Sequence, residues 1–312
     1  MRRPESRHRS TEPNPTPGMT GRRLSAVPHR LLMQLDCRGY TLALDSPVVM
    51  GVLNVTPDSF SDGGLHATVS AAVAHGRRMA DEGAAIIDVG GESTRPGAGS
   101  VDAAGELARV LPVIEGLART VTVPISIDTS KPEVMRAAVA AGARVINDVR
   151  ALRAPGALEA AAESGAAVCL MHMQGDPGDM QVDPRYHDVV AEVRDFLAAR
   201  VEACLAAGIA RDRVCIDPGI GFGKRLEHNL ALLARLEDFT RGSLPVLVGV
   251  SRKSLIGIIT GRATADRLAG GIALAALCAE RGAAIVRTHD VAATVDAVRT
   301  GAALRAAATQ RS

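Results

Sequence analysis

Residues 124–148, PISIDTSKPEVMRAAVAAGARVIND, contain one complete copy of the unit that repeats along this chain. A short apolar run ends in Asp128. Ser130 and Glu133, on either side of Pro132, have the spacing of a capping box and open an Ala-rich stretch with helical periodicity. Gly142 falls where a helix C-cap belongs, and the next apolar run carries Asn147 near its end. Strands that are apolar on both faces and joined by helices are the mark of a parallel sheet covered on both sides.

The unit recurs on both sides of this stretch. VVMGVLN ends at Asn54, AIIDV carries Asp88, AVCLMH ends at His172, VCID at Asp217, VLVGVS at Ser251 and AIVRTH at His289. Thr68 is placed to cap VSAAVAHGRRMADEG, and Gly83, Gly165, Gly208 and Gly282 occupy C-cap positions. An open doubly wound sheet gathers its polar residues at one switch point. A barrel distributes them over the C-terminal ends of many strands around one mouth. All eight runs end in or beside Asn, Asp, His, Ser or Arg. The expected fold is a single-domain α/β (β/α)8 TIM barrel over residues 35–312. A disordered, basic, Pro/Arg-rich tail over residues 1–34 is expected to precede it.

Bulk composition narrows the function. The 312 residues are 47% hydrophobic but only 2% aromatic, so aliphatic side chains must build the core. A net charge of +2, no long basic helix face and few aromatics for base stacking argue against nucleic-acid binding. Five scattered cysteines without a C-x-x-C pair fit a reduced, cytoplasmic protein. No run approaches the roughly 18 apolar residues of a membrane span. The tail lacks the apolar centre of a secretory signal, and its Pro content argues against a transit peptide. Met19 and Met33 are alternative starts.

The strand-end residues have two chemical characters. Asp88, Asp128, Asn147 and Asp217 offer carboxylates and an amide, costly to bury unless a ligand or cation pairs with them. Such groups can read the N–H edge of an aminopyrimidinone, with structural salt bridging as the competing reading. Arg95, Arg252, Lys253, Arg287 and His289 are cationic or can become so, and together with Gly-rich backbone they suggest a phosphate or pyrophosphate pocket at the rim. Phe60 and Phe222 sit in polar Gly-rich loops, either as an apolar wall for an aromatic substrate or as anchors of their own loops.

Several other chemistries fail on spacing. DPGIGFGKR is one residue short of a phosphate loop and has Arg225 where Ser or Thr is needed. GVSRK lacks the second glycine of a nucleophile elbow. No H-x-H follows the first long strand, strand six ends in Asp217 where a Schiff-base aldolase has Lys, and His172 and His187 read as packing or surface residues.

VMGVLNVTPDSFSDGG, IIDVGGESTRPG, ISIDTSKPEV, VINDV, CLMHMQG, DPGIGFGK, GVSRKS and VRTHDV, in this order, resemble the dihydropteroate synthase family of pterin-binding barrels. The resemblance runs from about Leu35 to Thr300. It implies condensation of 6-hydroxymethyl-7,8-dihydropterin pyrophosphate with para-aminobenzoate, by a path in which C–O cleavage leads. It assigns the pterin to Asp128, Asn147, Asp217 and Lys253, with Met171 beneath and Asp88 nearby. Asn54 would hold a Mg2+ ion, and Asn54, Arg287 and His289 the pyrophosphate. Phe60, Thr94, Arg95, Phe222 and Ser251 would form the para-aminobenzoate site, where sulfonamides compete. Asp128, Asp217, Lys253, Arg287 and His289 are the catalytic candidates, and a homodimer through helices remote from the mouth is implied. A methyltetrahydrofolate-dependent corrinoid methyltransferase and a non-catalytic pterin-binding paralogue are the alternatives. The first has no need of STRPG and SRKS, and the second should have lost part of the loop after the first long strand or of STRPG, both whole here.

Overall fold

A computed structural model describes residues 33–55, 64–92, 101–176 and 178–309. The tail expected at 1–34 therefore lies almost wholly outside the described residues.

The described chain begins with a hairpin not anticipated from the sequence. Strands β1 (Gln34–Cys37) and β2 (Tyr40–Ala43) pair antiparallel, with Leu35 opposite Leu42. Arg38 and Gly39 turn the chain with φ of 53° and 80°, the left-handed pair that a two-residue hairpin requires. Eight parallel strands follow: β3 (Val48–Asn54), β4 (Ile86–Gly90), β5 (Ile125–Asp128), β6 (Val145–Asp148), β7 (Ala167–Met171), β8 (Val214–Asp217), β9 (Leu247–Gly249) and β10 (Ile285–Thr288). Their hydrogen-bonded order is β8-β7-β6-β5-β4-β3-β10-β9, and a parallel bridge between Ile216 and Val246 joins the two ends. The expected barrel is what forms.

Helices cover the outside. They are α1 (Gly64–Asp81), α2 (Ala103–Ala118), α3 (Pro132–Ala140), α4 (Ala157–Ser164) and α5 (Val189–Ala206). On the other side of β8 come α6 (Leu226–Ala234), the one-turn α7 (Glu237–Thr240), α8 (Ser254–Thr260), α9 (Leu268–Glu280) and α10 (Val291–Thr309). Two predicted caps are corrected. Helix α1 begins at Gly64, so Thr68 lies inside it. Helix α3 is preceded by Lys131 without a side-chain cap, because the Ser130 hydroxyl donates instead to Asp148. That carboxylate also accepts from the amides of Arg150 and Leu152 at 2.8 and 2.7 Å, and a buried acceptor with three donors outcompetes a helix cap. No helix among the described residues is long and apolar enough to cross a membrane.

The two-residue period of the strands separates packing from chemistry. Val49, Ile87, Ile127, Ile146, Val168, Ile216, Val248 and Val286 point outward into one buried cluster shared with the helices. Met50, Ile86, Val145, Cys169, Cys215, Leu247 and Ile285 point inward and meet Leu35, Cys37, Leu42 and Leu44 of the hairpin. The hairpin thus plugs the N-terminal end of the barrel. Replacing Leu35, 1% exposed, by Ala should cost about 2–5 kcal/mol in urea unfolding, with catalytic constants of the folded fraction unchanged, because the plug sits at the end opposite the mouth.

Candidate active site at the mouth of the barrel

Two residues further along the inward face, the side chains of four strands change from apolar to polar. Ile86 is followed by Asp88, Val145 by Asn147, Cys215 by Asp217 and Ile285 by Arg287, while Ser126 is followed by Asp128. Arg287 reaches across β3 to the acidic pair. Its Nε donates to Asp88 Oδ2 at 2.6 Å and its Nη2 to Asp128 Oδ2 at 2.7 Å. Asn147 Nδ2 donates to the same Asp88 oxygen at 3.0 Å. Asp88 is fully buried, and its Oδ1 has no hydrogen-bond partner among the described residues.

Burial pushes the Asp128 carboxyl up to about 7; Arg287 pulls it down, and Asp88 pushes it further up. Burial works against the charge on Arg287, but Asp88 and Asp128 outweigh it and hold the guanidinium protonated beyond its ordinary range. The acidic and amide candidates therefore do converge. Arg287, expected at an anion-holding rim, lies among them because two buried carboxylates need its charge.

The other half of the mouth comes from β7, β8 and β9. Asp217 Oδ1 accepts from the amide of Gly219 at 2.7 Å; burial raises its pKa, against Lys253 and this hydrogen bond. Lys253 Nζ donates to the carbonyl of Ile220 and stands 4.6 Å from the centre of the Phe222 ring. Burial lowers Lys253 to about 8, with Asp217 pulling it back up. Phe222 packs on Val149, Met171, Met173 and Met180, so it anchors its loop and also offers a face to the cation.

The remaining candidates line the rim. Ser251 Oγ and His289 Nδ1 are 3.1 Å apart, and the His289 amide donates to Ser251 Oγ at 3.2 Å. Arg252 turns outward to pair with Asp290 at 2.5 Å, so it does not join Lys253 and Arg287 in the mouth. Asn54 ends β3 beside Asp128: a Cβ on Gly90 would lie 3.7 Å from Asn54 Oδ1 and 3.9 Å from Asp128 Oδ2. Phe60, Thr94 and Arg95 lie outside the described residues. His172 packs edge-on against Phe196 with centroids 4.8 Å apart, and His187 is exposed, both as expected.

Two features escaped the sequence reading. Lys131 bridges Glu92 and the buried Glu106 at 2.5 and 2.6 Å. Lys224, dismissed with the failed phosphate loop, is buried beneath the mouth against His172. Its signal was a run of glycine carbonyls with a lysine at its end, which calls for an internal cation.

A parallel barrel with a carboxylate-and-amide layer at its C-terminal mouth has the architecture of a barrel enzyme, and the family model described as "Pterin binding enzyme" matches residues 50–289. Dihydropteroate synthase of Escherichia coli K12 is 54% identical over 267 residues, which cover 86% of this chain and 95% of that protein. Among solved structures, Yersinia pestis dihydropteroate synthase in a sulfonamide drug complex superposes with a TM-score of 0.83 at 50% identity, over 88% of this chain and 100% of that one. The Xanthomonas albilineans enzyme in complex with 7,8-dihydropteroate gives 0.79 at 53% identity, over 88% and 99%. The chain belongs to the dihydropteroate synthase family.

The Arg287 bridge makes a structural prediction. Arg287→Met strands a buried carboxylate pair and should destabilise the fold by up to about 3–5 kcal/mol. Adding Asp88→Asn should recover part of that loss, which a double-mutant cycle in urea measures.

Proposed function

We propose that this chain condenses 6-hydroxymethyl-7,8-dihydropterin pyrophosphate with para-aminobenzoate, releasing pyrophosphate and 7,8-dihydropteroate. The observation that carries this reading is the inward polar layer, in which Asp128, Asn147 and Asp217 share one mouth with Arg287 and Lys253. Carboxylates and an amide match the N–H edge of an aminopyrimidinone, and Lys253 is a cationic donor for its carbonyl. Asp88 supports Asn147 and Arg287 from below, and Met171 packs beneath the ring. Phe222 and Ser251, with Phe60, Thr94 and Arg95, form the para-aminobenzoate side. Sulfonamides, which imitate that substrate, compete there. This reading is supported by the relatives bound to a sulfonamide and to the product.

The reaction needs no activated side-chain nucleophile. The C–O bond to pyrophosphate breaks first, and its electron pair leaves with the pyrophosphate. The pterin-methyl cation that remains is stabilised by Asp128 and Asp217. The aromatic amine nitrogen then attacks the methylene carbon and releases a proton to solvent, so positioning is all that it requires. When the pterin edge supplies new donors to Asp128, Arg287 is released from that carboxylate and turns, with His289, toward the departing pyrophosphate.

Mg2+ fits the donor set: Asn54 offers a hard amide oxygen beside Asp128. Among the described residues no group of three or more His, Cys, Asp or Glu could enclose a metal. A shell completed by phosphate oxygens suits such a site. Bound there, Mg2+ would neutralise charge building on the leaving group. Five free, buried cysteines support a cytoplasmic setting. Exposed Ile258, Leu268 and Leu277 on α8 and α9 support a homodimer through helices outside the mouth.

Pyrophosphate release from the pterin pyrophosphate, assayed with and without para-aminobenzoate and Mg2+, is the direct test; no para-aminobenzoate-dependent release overturns the reading. In the same assay Asp128→Asn should lower kcat by about 100-fold while the Kd for pyrophosphate changes far less.

The pH profile follows from two groups. Asp128 must be ionised to stabilise the cation, and its pKa is raised, so kcat/KM should fall about tenfold per unit below a pH of about 7. Lys253 must be charged, and its pKa is lowered, so activity should fall again above about 8. Asp128→Asn should abolish the acid limb and leave the alkaline one.

A further inference from the structure

The β8–α6 loop carries Asp217 at its start and Phe222 near its end, and each of its carbonyls from 219 to 223 receives a side-chain donor. Lys253 serves Ile220, Gln181 Nε2 serves Gly221 at 2.6 Å, and the Tyr186 hydroxyl serves Gly223 at 2.8 Å. The other two, Gly219 and Phe222, both accept from Lys224 Nζ at 2.9 Å. The same nitrogen stands 3.0 Å from His172 Nδ1 and 3.3 Å from the His172 carbonyl, at the end of β7. Lys224 is 3% exposed.

Three carbonyl oxygens from two strand ends thus point at one dehydrated position. Their negative ends repel each other unless a cation lies between them. Burial lowers the Lys224 pKa and Lys253 adds to this, while Asp217 pulls it back up. An ammonium with three N–H groups nevertheless suits this ring of acceptors, which favours the charged form. Burial and the charge of Lys224 lower the His172 pKa to about 3, so the imidazole is neutral and its Nδ1 can accept. The approach is too close for any side chain: at Gly219 (φ +69°) a Cβ would stand 1.9 Å from the His172 carbonyl oxygen. At Gly223 (φ +61°) it would stand 2.3 Å from that of Gln174.

We propose that Lys224 is a positioning residue for the condensation: its ammonium is an internal cation that clamps the β8–α6 loop to the end of β7. The clamp sets both substrate-facing groups of the loop. Gly219, whose carbonyl it holds, gives its amide to Asp217, and Phe222 is held through its own carbonyl. Without the ammonium the carbonyls spread apart. Asp217 then loses its place under the pterin, and Phe222 its place beside para-aminobenzoate.

This inference rests on the synthase reading above, and the parent protein's activity in the same assay tests that reading separately. Lys224→Met keeps the length of the side chain and removes its donors. In the full chain, with the folded fraction established by cooperative thermal melting, KM for para-aminobenzoate and for the pterin pyrophosphate should both rise about tenfold, because a small displacement of binding groups is expensive. Lys224→Gln, which retains one amide donor, should give intermediate values, and it decides the matter if the Met variant does not fold. A residue that serves stability alone would reduce the active fraction, lowering apparent kcat and leaving both KM values within twofold of the parent. That result in either folded variant overturns the proposal.

Discussion

Everything at the mouth of this barrel depends on how charge is balanced in a space with little water. Asp88, Asp128 and Asp217 face inward from β4, β5 and β8, and a carboxylate in such a place is stable only beside a cation. Arg287 meets two of them with one guanidinium, at 2.6 and 2.7 Å, and Lys253 and Lys224 act on the third. Three acids thus face three bases in one space. None of these partners is interchangeable. The planar fork of Arg287 can bridge two acceptors on different strands, which the point charge of a lysine cannot do with the same geometry.

The period of two along each strand makes this arrangement possible without weakening the fold. Outward residues pack against helices, inward residues near the start of most strands pack against the hairpin plug, and inward residues near the end of several strands are polar. The layers lie on the same strands yet have different neighbours. Stability can therefore reside in aliphatic contacts at one end of the barrel while strain and unpaired polarity collect at the other. The buried, unpartnered Asp88 Oδ1 and the left-handed φ of Arg252 (58°) are both at the mouth.

What could be read from the sequence follows the same division. Apolar runs ending in Asp128, Asn147 and Asp217 revealed both the strands and their inward polar ends, because strand period and burial act locally. The hairpin was missed: QLDC and YTLA are each four residues long, and their partners in the barrel lie far away in the sequence. The resting partners of Arg287 were not legible for a related reason. A basic residue at a strand end was assigned to the rim, whereas its position depends on two carboxylates 199 and 159 residues away. Ser130 and Glu133 matched a local capping pattern, but the nonlocal acceptor Asp148 took the hydroxyl. Pairings between residues separated in sequence decided each of these cases, and local patterning does not reveal them.

The balance at rest also accounts for the kind of chemistry the site can perform. An enzyme that forms a carbocation needs negative charge near carbon only in the transition state, and a fully satisfied carboxylate gives little then. Asp128 is held between these extremes: burial raises it to about 7, while Arg287 keeps the ionised form accessible. A substrate that brings its own N–H donors, and later its own positive charge, can take over from Arg287 what the guanidinium supplies at rest. In the proposed reaction the guanidinium then carries its charge to the pyrophosphate at the moment that group leaves. One exchange of partners would thus place negative charge by the carbon and positive charge by the leaving group, without calling on any side chain as nucleophile or base.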